Sequence, residues 1–219
     1  MKYYITILFI LLFIFSCNNK NNNYINENEE TTYNIENIEN IEDSNNFFSN
    51  KEIIFKRLEI GDNNYTSDNQ YYITNVDAVF SPPINSVKLS EEEKNIVIEQ
   101  TGYFKDYFYT DSLFVDERIK SSCLVGYMEK ETEKLEDFIT SLRKMREDSS
   151  IKNFTEEYYT IKGKKNVQFR INIDNALYWF YVIFEANNGY YLILNYTFPI
   201  SYLADSVDKI ANSLNSITF

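Results

Sequence analysis

Three consecutive apolar runs in the last third of the chain constrain its fold more than any other feature. Val167, Phe169, Ile171 and Ile173 alternate with Gln168, Arg170 and Asn172, the period-two pattern of a strand with one buried and one wet face. Residues 176–184 are apolar or aromatic at every position, and a third run, 190–198, follows Asn187-Asn188-Gly189. Asn and Gly tolerate the positive φ of tight hairpin turns, so the last two runs are expected to pair as a hairpin. Adjacent strands that are apolar on both faces must be covered on both faces. The expectation is a sandwiched antiparallel sheet.

The covering helices are legible as well. Ser90 followed by Glu93 forms a capping box for a helix ending near Gly102, with Glu91 and Glu92 suited to the positive end of its dipole. Leu135, Phe138, Ile139, Leu142 and Met145 recur at spacings of three and four. A last helix after Pro199 sets Leu203, Val207, Ile210, Leu214 and Ile217 against Asp205, Asp208, Lys209 and Asn212. All three apolar faces read as core. Further strands are expected at 53–58, 71–80, 113–119, 123–128 and 154–161.

A helix over about 133–147, strands at 154–161, 167–173, 176–184 and 190–198, and a closing helix ending Asn-Ser-Leu-Asn-Ser-Ile resemble the C-terminal half of the PsbP-like proteins. That fold is shared with the Ran-binding Mog proteins and with bacterial lipoproteins of unknown function. The resemblance spans roughly 130–219, with Gly163 and Tyr196-Thr197-Phe198-Pro199 as its best local matches, while 51–130 depart from the pattern. It implies an α+β fold, an α/β/α sandwich with helices flanking an antiparallel sheet, and a non-enzymatic accessory or binding role. A fold does not carry a specific function, so neither photosystem assembly nor Ran binding follows from it.

The first fifty residues differ in kind. Lys2 precedes a thirteen-residue apolar run, 3–15, in which Thr6 is the one non-aromatic polar residue. The run is short for a permanent span of about 30 Å of hydrocarbon but matches the apolar region of a secretory signal. Ile14-Phe15-Ser16-Cys17 resembles a bacterial lipobox, although Phe15 is bulkier than the small residue usual there. The resemblance implies a signal peptide over 1–16 and a diacylglyceryl thioether on Cys17, the new N-terminus. Each buried methylene contributes about 0.8 kcal/mol, so two acyl chains anchor where one is marginal.

Residues 18–50 then turn to Asn, Glu, Ile and Ser, with three Asn-Ile-Glu triplets at 34–42. Seven carboxylates against Lys20 leave an excess of six negative charges between 18 and 50. Such composition reads as a disordered tether, a transient helix along the isoleucines being the alternative. The domain plan is therefore a signal peptide at 1–16, a lipidated tether at 17–50 and one globular domain at 51–219.

The chain has 219 residues, room for one core of ordinary size. A net charge of -12, with no basic cluster in the sequence, argues against nucleic acid as a partner. There is no histidine, which removes the commonest general base and zinc ligand and the Ser-His-Asp and Cys-His arrangements. Ser141 with Lys144 and Ser149 with Lys152 fit Ser-x-x-Lys, but without the Ser-Asp-Asn or Lys-Thr-Gly elements that accompany it in penicillin-recognising enzymes. The glycines are single and scattered, so no phosphate loop is expected. The acidic clusters at 91–93 and 129–136 read as helix caps and solvated faces rather than metal sites. Neither a cofactor nor a metal is expected. With Cys17 lipidated, Cys123 has no intramolecular partner and reads as a buried, inert thiol.

Tyr71, Tyr72, Tyr103, Tyr107, Tyr109, Tyr158, Tyr159, Tyr178, Trp179, Tyr181, Tyr190 and Tyr191 are the one set that could signal binding. Most are expected to fill the core, leaving room for an exposed aromatic patch. The expected role is an accessory or interaction domain, lipid-anchored on the extracytoplasmic side of a bacterial membrane. Its partners would be that membrane and an unknown envelope protein. A carrier for a small apolar ligand is the alternative reading, and an enzyme the distant one.

Overall fold

The fold comes from a computed structural model that describes residues 47–50, 52–60, 69–101 and 105–219. Cys17, the lipobox, the triplets and Tyr103 lie outside the described residues. Ten strands and three α-helices are described: β1 (Lys56–Arg57), β2 (Tyr71–Ile73), β3 (Ala78–Phe80), β4 (Val87–Lys88), α1 (Glu91–Thr101), β5 (Tyr109–Asp116), β6 (Ser121–Glu129), α2 (Thr132–Lys144), β7 (Ile151–Ile161), β8 (Lys164–Ile173), β9 (Leu177–Glu185), β10 (Tyr190–Pro199) and α3 (Leu203–Asn215). Eight strands form one sheet in the order β1-β7-β8-β9-β10-β6-β5-β4.

The middle of the sheet is a meander whose turns the sequence dictates. Lys162 and Gly163 (φ 48° and 79°) join β7 to β8, and Asp174 and Asn175 (φ 51° and 53°) join β8 to β9. Two successive residues at positive φ give a turn whose twist matches that of the flanking strands, and Gly, Asn and Asp adopt it at least cost. The expected Asn187-Asn188-Gly189 hairpin is present, with Gly189 at φ 81° and Tyr191 opposite Glu185.

Side-chain alternation splits the core into two layers. Val167, Phe169, Tyr181, Ile183 and Ile193 pack against Leu135, Phe138, Ile139 and Leu142 of α2. On the other face, Val182, Phe184, Leu192, Leu194 and Phe198 meet Ile210, Leu214 and Ile217 of the closing helix segment and Ile73, Val76 and Phe80 of the β2–β3 hairpin. Strands β9 and β10 are buried on both faces, and the α/β/α sandwich is the fold.

Several expectations are corrected. The sheet is not wholly antiparallel: β1 runs parallel to β7, with Lys56 opposite Tyr159. The two strands lie far apart in sequence, so no hairpin fixes their direction. Residues 71–80 are not one strand, because a 3₁₀ turn at Thr74–Val76 and Asp77 at φ 50° fold them back with Tyr71 opposite Phe80. The expected wet face of β8 is partly buried: Asn166 and Gln168 are enclosed, and Gln168 Nε2 donates to Asn166 Oδ1 at 3.0 Å. Covering the second face requires such pairing of buried amides.

The packed unit also takes in Phe47–Ser49, ahead of the expected start at Lys51, with Phe48 fully buried. The helix faces are less uniform than expected. Leu203 and Val207 of α3 are exposed, and the one buried residue of α1 is Lys94. The expected capping box does form, Ser90 N donating to Glu93 Oε2 at 2.9 Å and Glu93 N to Ser90 Oγ at 3.3 Å.

Candidate interaction surface

Sheet register brings three tyrosines side by side. Tyr109 of β5 lies opposite Tyr127 of β6, while Tyr127 pairs with Leu192 of β10, two residues beyond Tyr190. The Tyr109 and Tyr127 rings stack at 5.5 Å between centroids, and the Tyr190 ring meets Tyr127 edge-on at 5.8 Å. Tyr109 is 62% exposed and Tyr72, on the outside of the β2–β3 hairpin, 52%. The result is an aromatic strip, exposed at Tyr109 and half-buried at Tyr127 and Tyr190, which pack on the second core layer, on the face that carries α3 at the end of the sheet where β10 begins.

Two devices position it. Gly126, opposite Thr110, leaves the space in which the Phe108 ring lies; a Cβ there would stand 2.6 Å from that ring and 2.9 Å from the Tyr109 carbonyl oxygen. Phe108 is thereby held inward against Phe138, and the alternation of the strand turns Tyr109 to the opposite face. The second device is a bulge between Thr110 and Ser112. A bulge leaves backbone groups unpaired, and the buried Lys94 meets them: Nζ donates to Asp111 O at 2.9 Å and pairs with Glu91 at 2.6 Å.

Around the strip, Tyr71 donates to Asp111 Oδ2 at 2.6 Å and accepts from Lys88 Nζ at 3.1 Å, which clamps the hairpin to β5. The Tyr72 hydroxyl donates to Asp77 Oδ1 at 2.7 Å, a bond that raises its pKa. Burial, with Asp111 and the neighbouring tyrosines, pushes the Tyr127 phenol up. The Tyr71 and Tyr72 protons are committed to Asp111 and Asp77, so toward a partner these two side chains offer ring faces and acceptor oxygens.

The sequence-selected aromatics divide as follows. Trp179, Tyr181 and Tyr191 are core, and Tyr178 stacks on Phe198 at 5.3 Å. Tyr107 and Tyr158 pack at the margin of the α2 layer. Tyr109 and Tyr190 join the strip, whereas Tyr127, its centre, is absent from the sequence set. The alternation of Cys123, Val125 and Tyr127 on one face of β6 is the signal that places it there.

The Ser-x-x-Lys pairs are directed elsewhere. Ser141 Oγ meets the Tyr107 hydroxyl at 2.5 Å, and Lys152 Nζ donates to the Ser149 carbonyl oxygen at 2.6 Å. Cys123 is buried, and burial drives its thiol pKa far up, the bond to Tyr196 opposing it only in part. Among the described residues no three Cys, Asp or Glu side chains are grouped as a metal site. Clefts open to solvent are found among the described residues. One of about 840 Å³ includes Glu91, Glu93, Asp116, Glu117 and Arg118 in its lining, and one of about 210 Å³ lies between Ile161, Phe184 and Leu214. In the first, burial would raise the Asp116 carboxyl, but bonds from Arg118 and Lys209 outweigh it and hold the pKa low.

No protein-family profile matches the chain, and no curated protein does. Among solved structures it is similar to the solution structure of cyanobacterial PsbP (CyanoP) from Synechocystis sp. PCC 6803, with 13% identity over 68% of this chain and 90% of that one, at a TM-score of 0.43. Among the described residues no helix is long and apolar enough to cross a membrane.

Proposed function

We propose that the chain is a bacterial lipoprotein, anchored through a lipid on Cys17 at the extracytoplasmic side of a membrane, whose sandwich domain is a non-enzymatic interaction module. The signal peptide at 1–16 and the tether from Cys17 onward are part of this proposal, with the packed unit beginning at Phe47. The observation that carries the interaction reading is the strip of Tyr109, Tyr127 and Tyr190, with Tyr109 62% exposed. An exposed tyrosine ring backed by half-buried aromatic neighbours is a typical anchor of protein interfaces. The strip is open rather than enclosed, which favours a protein surface over a small apolar ligand.

Anchorage is tested by growing cells with labelled palmitate. The wild-type chain incorporates label and fractionates with membranes, whereas Cys17→Ala does neither; label on Cys17→Ala, or none on the wild type, contradicts the reading. The module is tested by chemical crosslinking and affinity recovery from native membranes. Tyr109→Ala is expected to reduce the recovered partner about tenfold, the scale of a surface anchor. Recovery of lipid alone from the wild type counts against it.

A further inference from the structure

The β7–β8 hairpin and the neighbouring β1 gather positive charge in an otherwise acidic chain. Lys162, Lys164 and Lys165 sit at the turn, and the parallel register sets Lys56 and Arg57 beside Tyr159 and Thr160. Lys56 pairs with Glu157 at 3.5 Å and Arg57 with Glu59 at 3.0 Å, while Lys162, Lys164 and Lys165 have no carboxylate partner among the described residues, in a chain of net charge -12. Lys56, Arg57 and Lys162 are exposed. Three of the ammonium groups are held in place: Lys162 donates to Asn215 O, Lys164 to Asn187 Oδ1 and Lys165 to Phe48 O.

The last of these bonds ties the patch to the first described residues of the chain. Phe48 also meets the Tyr191 ring at 5.7 Å, so the described chain starts at the end of the sandwich that carries the basic hairpin. A chain tethered from Cys17 therefore presents this end to the membrane first. We infer that this basic end docks on anionic lipid headgroups, which orients the domain with the β7–β8 turn toward the bilayer. The inference rests on the lipid-anchor reading. Juxtamembrane Lys and Arg are drawn to anionic headgroups by roughly a fivefold factor each, and the attraction is screened within about 10 Å at 0.1 M salt. The tyrosine strip lies at the same end of the sheet, on β5, β6 and β10, where this orientation brings it within reach of a membrane-embedded partner.

The test is amine footprinting of the lipidated full-length chain, reconstituted in vesicles of phosphatidylcholine alone or with about a third phosphatidylglycerol. On the anionic vesicles, acetylation of Lys56 and Lys162 is expected to fall about fivefold and to recover in 0.5 M salt. Lys120, in the turn between β5 and β6 at the opposite end, is unchanged. A double variant, Lys56→Gln with Lys162→Gln, abolishes the lipid-dependent protection of Lys164. Equal labelling on both vesicles, or equal protection of Lys120, overturns the orientation while leaving the anchor intact. Failure to float with either vesicle removes the anchor reading, and the docking inference with it.

Discussion

The β7–β10 meander and the short strands β1 to β4 are held together by different means. Within the meander each strand is followed by its own partner through a short turn, and the strands are nine to eleven residues long. The short strands have two or three residues each and depend on distant chain: β1 on β7, β4 on β5, and the β2–β3 hairpin on Thr218, to which Val79 is bonded in both directions at 2.9 Å. Local closure makes the meander self-supporting, whereas the short strands are stable only once the sheet exists.

The largest expected effect tests that contrast directly. Phe138 is fully buried, with the Phe108 and Tyr181 rings at 5.4 and 5.9 Å, and Phe138→Ala should cost about 3–5 kcal/mol of global stability in urea titration. Phe80 is as deeply buried but belongs to the β2–β3 hairpin. Phe80→Ala should release hydrogen-exchange protection at 71–80 and at Thr218 while β8 to β10 stay protected. Equal loss across both regions would dissolve the distinction.

A smaller effect comes from the clamp between α2 and β7. Arg143 donates to both Glu156 oxygens, at 2.9 and 2.5 Å, and Tyr158 donates to Glu156 Oε1 at 2.5 Å. Burial would raise the Glu156 pKa, but the bonds from Arg143 and Tyr158 outweigh it and hold the carboxyl below its ordinary 4.5. A depressed folded-state pKa contributes stability that is complete above the unfolded value and is lost as pH falls through the folded one. Stability should therefore fall below pH 4.5, and Glu156→Gln should cost about 1–3 kcal/mol at pH 7 and flatten that acid limb. An unaltered pH profile in the variant would show that the clamp contributes nothing.

Two further changes sharpen the view of the meander. Gly163 has φ 79° and no described atom within 4 Å of where an alanine Cβ would stand, so Gly163→Ala carries only the backbone cost of about 1 kcal/mol. A larger loss by thermal unfolding would mean that the turn also packs. Tyr191 is fully enclosed, its hydroxyl has no hydrogen-bond partner among the described residues, and burial pushes its pKa up to about 12. Tyr191→Phe should be neutral or gain up to about 1 kcal/mol; a loss above that would reveal a polar contact.

The same contrast decides how much the sequence reveals. Period-two alternation and turn residues announce β8, β9 and β10, and the three- and four-residue spacing announces α2. The short strands have no room for a period. The break in 71–80 rests on Asn75 and Asp77 alone, and the parallel pairing of β1 is a tertiary fact without local trace. Of the candidate surface, the abundance of tyrosine was legible but not its arrangement. Tyr181 and Tyr109 differ in burial because of register and layer cover, which no single segment encodes.

The place of Phe108 has no local signal for the same reason, since the space it fills is left by Gly126 on the partner strand. The charge of the hairpin end is legible only in part, since Lys162, Lys164 and Lys165 are near neighbours in sequence but Lys56 and Arg57 are not. Lys56 and Lys162 are distant in sequence and meet only because β1 pairs with β7.

The central claim is that a membrane-held module contacts a protein partner through its tyrosine strip. The most direct measurement replaces Tyr109 with a photocrosslinking phenylalanine analogue in intact cells and compares it with the same probe at Asn175, in the turn at the other end of the sheet. The account predicts one discrete protein adduct from position 109 that is lost when Tyr127→Ala is added and is absent from position 175. No adduct at 109, or the same adducts from both positions, would contradict it.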